Sequence, residues 1–141
     1  MDPRSKKIGD LFANVGDAAK ARALIEELYD PSVVFQDPIQ RLEGHEGLFQ
    51  STQSLSSKTR NIRVRILSDA AGKDTLAIRW EMDFQLPLLP SKATMRGVSW
   101  MEFGPGGKCV RHTDYWDMGD ILDQLVPLAR PLHDLVRKMM K

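Results

Sequence analysis

Leu76-Ala77-Ile78-Arg79-Trp80-Glu81-Met82-Asp83-Phe84 alternates apolar and polar side chains without a break. A period of two belongs to a strand with one face buried and the other wet, so Leu76, Ile78, Trp80, Met82 and Phe84 are predicted to face a core. The charged Arg79, Glu81 and Asp83 are then predicted on the opposite face. Upstream, Ile62, Val64 and Ile66 keep the same period, and Ala70-Ala71-Gly72-Lys73-Asp74 reads as the turn between the two strands. Downstream, Leu86-Pro87-Leu88-Leu89-Pro90 interrupts the pattern, and a strand through Arg96 to Phe103 follows. Gly104-Pro105-Gly106-Gly107 is the next turn, and Cys109 to Asp117 is the last strand.

The chain begins differently. From Lys6 to Tyr29, Ile8, Leu11, Phe12 and Val15, then Ala19, Ala23, Leu24 and Leu28, recur at helical spacing, interrupted near Gly16-Asp17. Val33-Val34-Phe35 is a short β-branched strand, closed by Pro38, which holds Asp37 extended. Gly44 to Leu55 is predicted as a second helical region, with Leu48, Phe49 and Leu55 inward. Helices followed by a run of antiparallel strands give an α+β fold with the helices on one face of a curved antiparallel sheet. At 141 residues the chain is expected to form one domain.

Asp120 to Lys141 carries Ile121, Leu122, Leu125, Leu128, Leu132, Leu135, Val136 and Met139 as a helical stripe, with Pro127 and Pro131 expected to cut it into pieces. Residues 118–141 are read as a helical extension. The stripe is compatible with packing on its own domain or a dimer partner, with a lid, or with a membrane-surface anchor.

Twenty basic against nineteen acidic residues leave no overall field for nucleic acid. One cysteine, Cys109, excludes an internal disulfide, and no apolar run reaches spanning length, so a cytoplasmic protein is expected. No phosphate-binding loop, dinucleotide fingerprint, zinc-ligand spacing or nucleophile elbow is present, and neither cofactor nor metal is expected. His45 and His133 read as solvated residues. On the last strand His112, Asp114 and Trp116 share a face, which makes them candidates for the floor of a small-molecule pocket. Asp37, at the end of an apolar strand, reads either as a general base at a cavity mouth or as the acceptor of a turn.

The Phe-x-Asp-Pro step ending at Pro38, Gly44 beyond it, the strand through Trp80, and Gly107-Lys108 followed by His112-x-Asp114-Tyr115-Trp116-Asp117 together resemble the nuclear transport factor 2-like superfamily. Its fold is a cone: a curved antiparallel sheet wrapped around N-terminal helices, a cystatin-like α+β barrel. Ketosteroid isomerases, limonene epoxide hydrolases and SnoaL-like polyketide cyclases share it.

The resemblance to ketosteroid isomerases implies a catalytic base at Asp37, while their oxyanion donors fall on Ser99 and near Gly9, where no tyrosine stands. The resemblance to limonene epoxide hydrolases implies a catalytic carboxylate at Asp114. Their Arg-x-Asp and Tyr-x-Asn pairs correspond to Glu81-Met82-Asp83 and Phe35-Gln36-Asp37. That correspondence places Asp83 inside, against the alternation. The combined expectation is a pocket for a small apolar molecule, with Asp37, His112 and Asp114 as acid/base groups. Its walls are Tyr29, Phe35, Trp80, Met82, Ser99, Met101 and Trp116. The reaction expected is an isomerisation, dehydration or hydrolysis, in a homodimer joined through the outer sheet face. The alternative is a non-catalytic ligand-binding or protein-interaction module on the same fold.

Overall fold

The computed structural model describes residues 1–89 and 91–141; Pro90, the end of the expected interruption, lies outside them. Two short helices open the chain, α1 (Pro3–Ala13) and α2 (Ala18–Leu28). Each starts on an aspartate that accepts from a backbone N–H of the first turn, Asp2 from Arg4 and Asp17 from Lys20. The break expected at Gly16-Asp17 is therefore the cap of α2. The chain continues through β1 (Tyr29–Gln36), β2 (Arg41–Glu43) and α3 (Gly44–Lys58), then β3 (Arg60–Ala71), β4 (Thr75–Gln85), β5 (Lys92–Phe103) and β6 (Cys109–Trp116). The tail comprises α4 (Met118–Leu125), a 3-10 turn (Pro127–Ala129) and α5 (Arg130–Met140).

The six strands form one open sheet in the order β2-β1-β6-β5-β4-β3. Every pair is antiparallel except β1 with β6, which run parallel. The antiparallel run expected from the alternation is β3 to β6, and the parallel seam joins it to β1. The reason is topological: β1 is separated from β6 by most of the chain, so no hairpin dictates their direction.

On β4 the five alternating apolar residues are all buried, and the wet face carries charges that compensate one another. Asp83 accepts from Arg65 at 2.9 Å and from Thr94 at 2.7 Å, while Glu81 binds Arg65 and Arg96. Asp83 is thus on the outer face, as the alternation requires, buried there beneath Arg65 and Thr94. The bulk of the apolar core lies between the concave face and the helices. Ile8 and Leu11 of α1, Ala21 and Ile25 of α2 and Leu48 of α3 are buried against it. Burying each large aliphatic side chain contributes about 1.5–3 kcal/mol, and these contacts hold α1 and α3 over the sheet.

Of the pieces expected in the tail, α4 buries Ile121 and is tied to β5, with the Gln124 carboxamide donating to the Thr94 carbonyl and accepting from its N–H. Pro131 stands in the first turn of α5, where a missing N–H costs nothing, so the helix starts there.

Candidate functional site

Between the concave face and helices α1 and α3 lies a cavity of about 300 Å³. Its sheet side is built by strand register. Asp114 of β6 pairs with Ser99 of β5, which pairs with Ile78 of β4. One step along, Trp116 pairs with Gly97 and Gly97 with Trp80. One step the other way, His112 stands between Phe35 and Met101. Phe35, Trp80, Met82, Ser99, Asp114 and Trp116 line the cavity, all of them expected from the sequence. Tyr29 and Met101 were expected as walls, and the structure corrects this. Both are fully buried and neither belongs to the lining, because Tyr29 turns its hydroxyl to His112 and Met101 packs beside that ring.

The polar side chains form a buried chain. The Trp80 indole N–H donates to Ser99 Oγ at 2.9 Å, and an indole has no acceptor. Ser99 therefore turns its own proton to Asp114 Oδ1, 2.5 Å away. His112 Nε2 is 2.7 Å from the same oxygen, and His112 Nδ1 is 2.8 Å from the Tyr29 hydroxyl. Burial pushes the Tyr29 phenol well above its ordinary range, with Cys109 and Asp114 adding to the effect, so the hydroxyl keeps its proton. Its only polar partner among the described residues is Nδ1, to which it donates. That leaves the neutral imidazole with its proton on Nε2, donated to Asp114.

Asp114 Oδ1 thus receives two donors while Oδ2 has no partner among the described residues. Every fully enclosed side-chain oxygen or nitrogen among those residues is partnered, so Oδ2 is the carboxylate atom that keeps accessible surface. It opens on a cavity walled by indole, phenyl and thioether groups.

His112 itself is wholly buried behind Asp114 and touches the cavity only through it. Its ring stacks parallel to Tyr29 with centroids 5.9 Å apart and meets the edge of Phe35 at 5.0 Å. Asp37 stands at the mouth of the same cavity but outside the buried chain. Its Oδ1 accepts from the backbone N–H groups of Ile39 and Gln40, and its Oδ2 accepts from the Gln40 carboxamide at 3.3 Å. Of its two sequence readings, the turn acceptor is the one whose bonds are present.

The opposite wall comes from the helices. Ser51, Ser54, Leu55 and Lys58 of α3 fall at successive helical turns and line the cavity, with Gly9 and Phe12 of α1 beside them. A Cβ on Gly9 would meet Ile66 Cγ1 at 3.2 Å, so the glycine lets α1 lie close on β3. Of the α3 lining Leu55 was expected inward, whereas Ser51, Ser54 and Lys58 had no separate signal in the sequence, because a polar face on a helix reads as solvated. The Tyr29 to His112 bond spans 83 positions, and only the parallel β1 to β6 pairing creates it. His45 donates from Nε2 to the Tyr29 carbonyl at 2.6 Å, so it fastens α3 to β1 rather than standing free in solvent. His133 is likewise engaged, with Asp123. Among the described residues no group of His, Cys, Asp and Glu could hold a metal ion.

The chain is thus an open α+β cone with a carboxylate at the floor of an apolar cavity. The chain belongs to the SnoaL-like domain family, whose model matches residues 11–112. No curated protein sequence matches it. Among solved structures it is similar to an NTF2-like protein of unknown function from Exiguobacterium sp. 255-15, at 20% identity and TM-score 0.71, over 82% of this chain and 98% of the other. It is also similar to a protein with a ketosteroid isomerase-like fold from Catenulispora acidiphila, in complex with trimethylamine, at 16% identity and TM-score 0.67, over 74% and 80%. A third is TerC co-crystallised with polyporic acid, at 17% identity and TM-score 0.69, over 88% and 98%. At these identities the likeness establishes the nuclear transport factor 2-like fold.

Proposed function

We propose that the cavity takes up a small, largely apolar molecule with one polar group, and that Asp114 exchanges a proton with it. The reaction would be an isomerisation, dehydration or hydrolysis without a cofactor. The observation that carries this reading is the division of labour within one carboxylate: Oδ1 fixed by Ser99 and His112, Oδ2 bare toward an apolar cavity. Two donors on Oδ1 fix the orientation of the carboxylate, and a carboxylate oxygen left free among apolar walls can accept a proton with little competing solvent. His112 acts as the positioning residue and Tyr29 sets its tautomer. Asp37 and Gln40 would shape the mouth, with Asp37 as the second carboxylate of the cavity. Two similar folds accompany small organic molecules, TerC with polyporic acid and the Catenulispora protein with trimethylamine, which supports a ligand of that kind here.

The test works with the substrate still unidentified. A panel of small cyclic ketones and enones is incubated with the protein in deuterium oxide, and deuterium uptake next to the carbonyl is followed by mass spectrometry. The reading expects uptake above the buffer rate for some member, lost in Asp114→Asn. Uptake that Asp114→Asn retains, or a panel that neither exchanges nor shifts the thermal midpoint, would remove its basis.

A further inference from the structure

The last helix is amphipathic, yet its apolar side is left largely exposed. Leu132, Leu135, Val136 and Met139 of α5 recur at three- and four-residue spacing, and α5 buries no residue at all. Leu132 is 62% exposed and Met139 78%, while Leu128 in the preceding turn is 91% exposed. What fixes the helix in place is polar: Asp123 of α4 binds His133 and accepts from Arg137 at 2.8 Å. A helix held through its polar side and presenting leucines and methionines outward has an apolar partner missing.

The charge says what kind. Residues 130–141 carry four cations, Arg130, Arg137, Lys138 and Lys141, against one acid, Asp134. The other residues of the chain carry sixteen cations against eighteen acids. The positive charge of the protein is therefore concentrated beside its exposed apolar stripe. A second copy fits poorly as the occupant. Pairing with a second copy would set the net positive charge of this helix against an identical one. An anionic bilayer surface complements that charge instead, and it accepts leucine and methionine without shaped pockets. No helix among the described residues is long and apolar enough to cross a membrane, so the helix would lie in the interface plane.

We propose that α5, with Leu128 before it, is a membrane-surface anchor selective for anionic lipid, its apolar side entering the acyl boundary and Arg130, Lys138 and Lys141 meeting the headgroups.

The full chain is sedimented with vesicles of phosphatidylcholine alone and with vesicles containing roughly one-third phosphatidylserine. Binding at least about tenfold tighter to the anionic vesicles is expected, weakened by high salt as the headgroup attraction is screened. Leu132→Glu/Leu135→Glu should abolish it and Lys138→Gln/Lys141→Gln should reduce it several-fold. Neither pair touches the core, and unchanged far-ultraviolet circular dichroism confirms the fold. Wild type that stays in the supernatant with anionic vesicles overturns the proposal, as does the leucine double variant binding like wild type. A dimer that the leucine variant dissociates, in a protein that ignores vesicles, would give the face to a second copy and overturn it equally.

Discussion

A single methyl group at Gly97 should collapse one wall of the cavity. A Cβ there would sit 2.5 Å from Cζ2 and 2.7 Å from Cη2 of Trp80, and 2.9 Å from the Tyr115 carbonyl oxygen. Carbon atoms rest at about 3.5–4.0 Å, so the indole must retreat by roughly 1 Å. The carbonyl cannot yield, because it belongs to β6 in the middle of the sheet. Trp80 is anchored next to that contact by the 2.9 Å bond from Nε1 to Ser99, and the retreat strains or breaks that bond. Overpacking costs about 1–3 kcal/mol. A buried N–H left without its acceptor costs about 1–3 kcal/mol more. Gly97→Ala should therefore lose about 2–6 kcal/mol, read as a lower urea midpoint by far-ultraviolet circular dichroism, with the near-ultraviolet aromatic signal altered. Gly106→Ala is the control, since nothing lies within 4 Å of its added Cβ and its backbone needs no positive φ; its midpoint should stay within about 0.5 kcal/mol of wild type. A Gly97→Ala protein with wild-type midpoint and aromatic signal would show that Trp80 does not occupy the place assigned to it.

Tyr29→Phe should cost about 1–3 kcal/mol by leaving His112 Nδ1 without a donor, and nitrogen-15 spectra of the histidine should show loss of the single tautomer; an unchanged ring spectrum would contradict the chain. Asp83 is held well below the usual carboxylate range, first by its hydrogen bond from Arg65, then by Thr94. Its folded-state pKa is depressed, so its contribution is present above the unfolded value near about 4 and is lost as pH falls below it. Asp83→Asn should flatten the fall of thermal midpoint with pH below that point, and parallel curves for the two proteins would refute the assignment. Burial pushes the Cys109 thiol up to about 12, so thiol reagents at neutral pH should modify it only after unfolding, and rapid labelling of the native protein would count against its placement.

What the sequence made legible follows from which interactions are local. The alternation through Trp80 assigned every cavity-side residue of β4, and Asp83, though buried, turns to Arg65 and Thr94 on the other face rather than into the cavity. The alternation could do so because a half-buried strand repeats its environment every second residue. The shared face of His112, Asp114 and Trp116 was legible for the same reason. The neighbours of that face were not. Tyr29 reaches His112 through a parallel seam, and Ser99 reaches Asp114 through a register set by the turn at residues 104–107; neither pairing leaves a mark in a single sequence. The polar lining from α3 was hidden because serines and a lysine on a helix are what a wet face also looks like.

The direction of the buried chain limits the chemistry that Asp114 can do on the proposed reading. A proton taken up at Oδ2 could leave in two ways, inward through His112 or back into the cavity. The inward route would require His112 to pass its Nδ1 partner a proton, and Tyr29 already holds one that burial makes hard to displace. Beyond Tyr29 there is no further polar side chain on the hydroxyl among the described residues and no exposed surface, since both rings are fully buried. The chain therefore ends in the core. It can orient a carboxylate, yet it cannot export what that carboxylate receives. A proton captured by Oδ2 must return to the molecule in the cavity or to water admitted there. Reactions in which one group removes a proton and gives it back at a neighbouring atom satisfy that constraint within a single binding event. On this ground isomerisation is favoured over a net hydrolysis, which needs water activated and a proton disposed of in the same apolar space. The deuterium experiment separates the two. With deuterated substrate in ordinary water, partial retention of label in the product would mark the returned proton, whereas complete washout at every turnover would mean that solvent reaches Oδ2 freely.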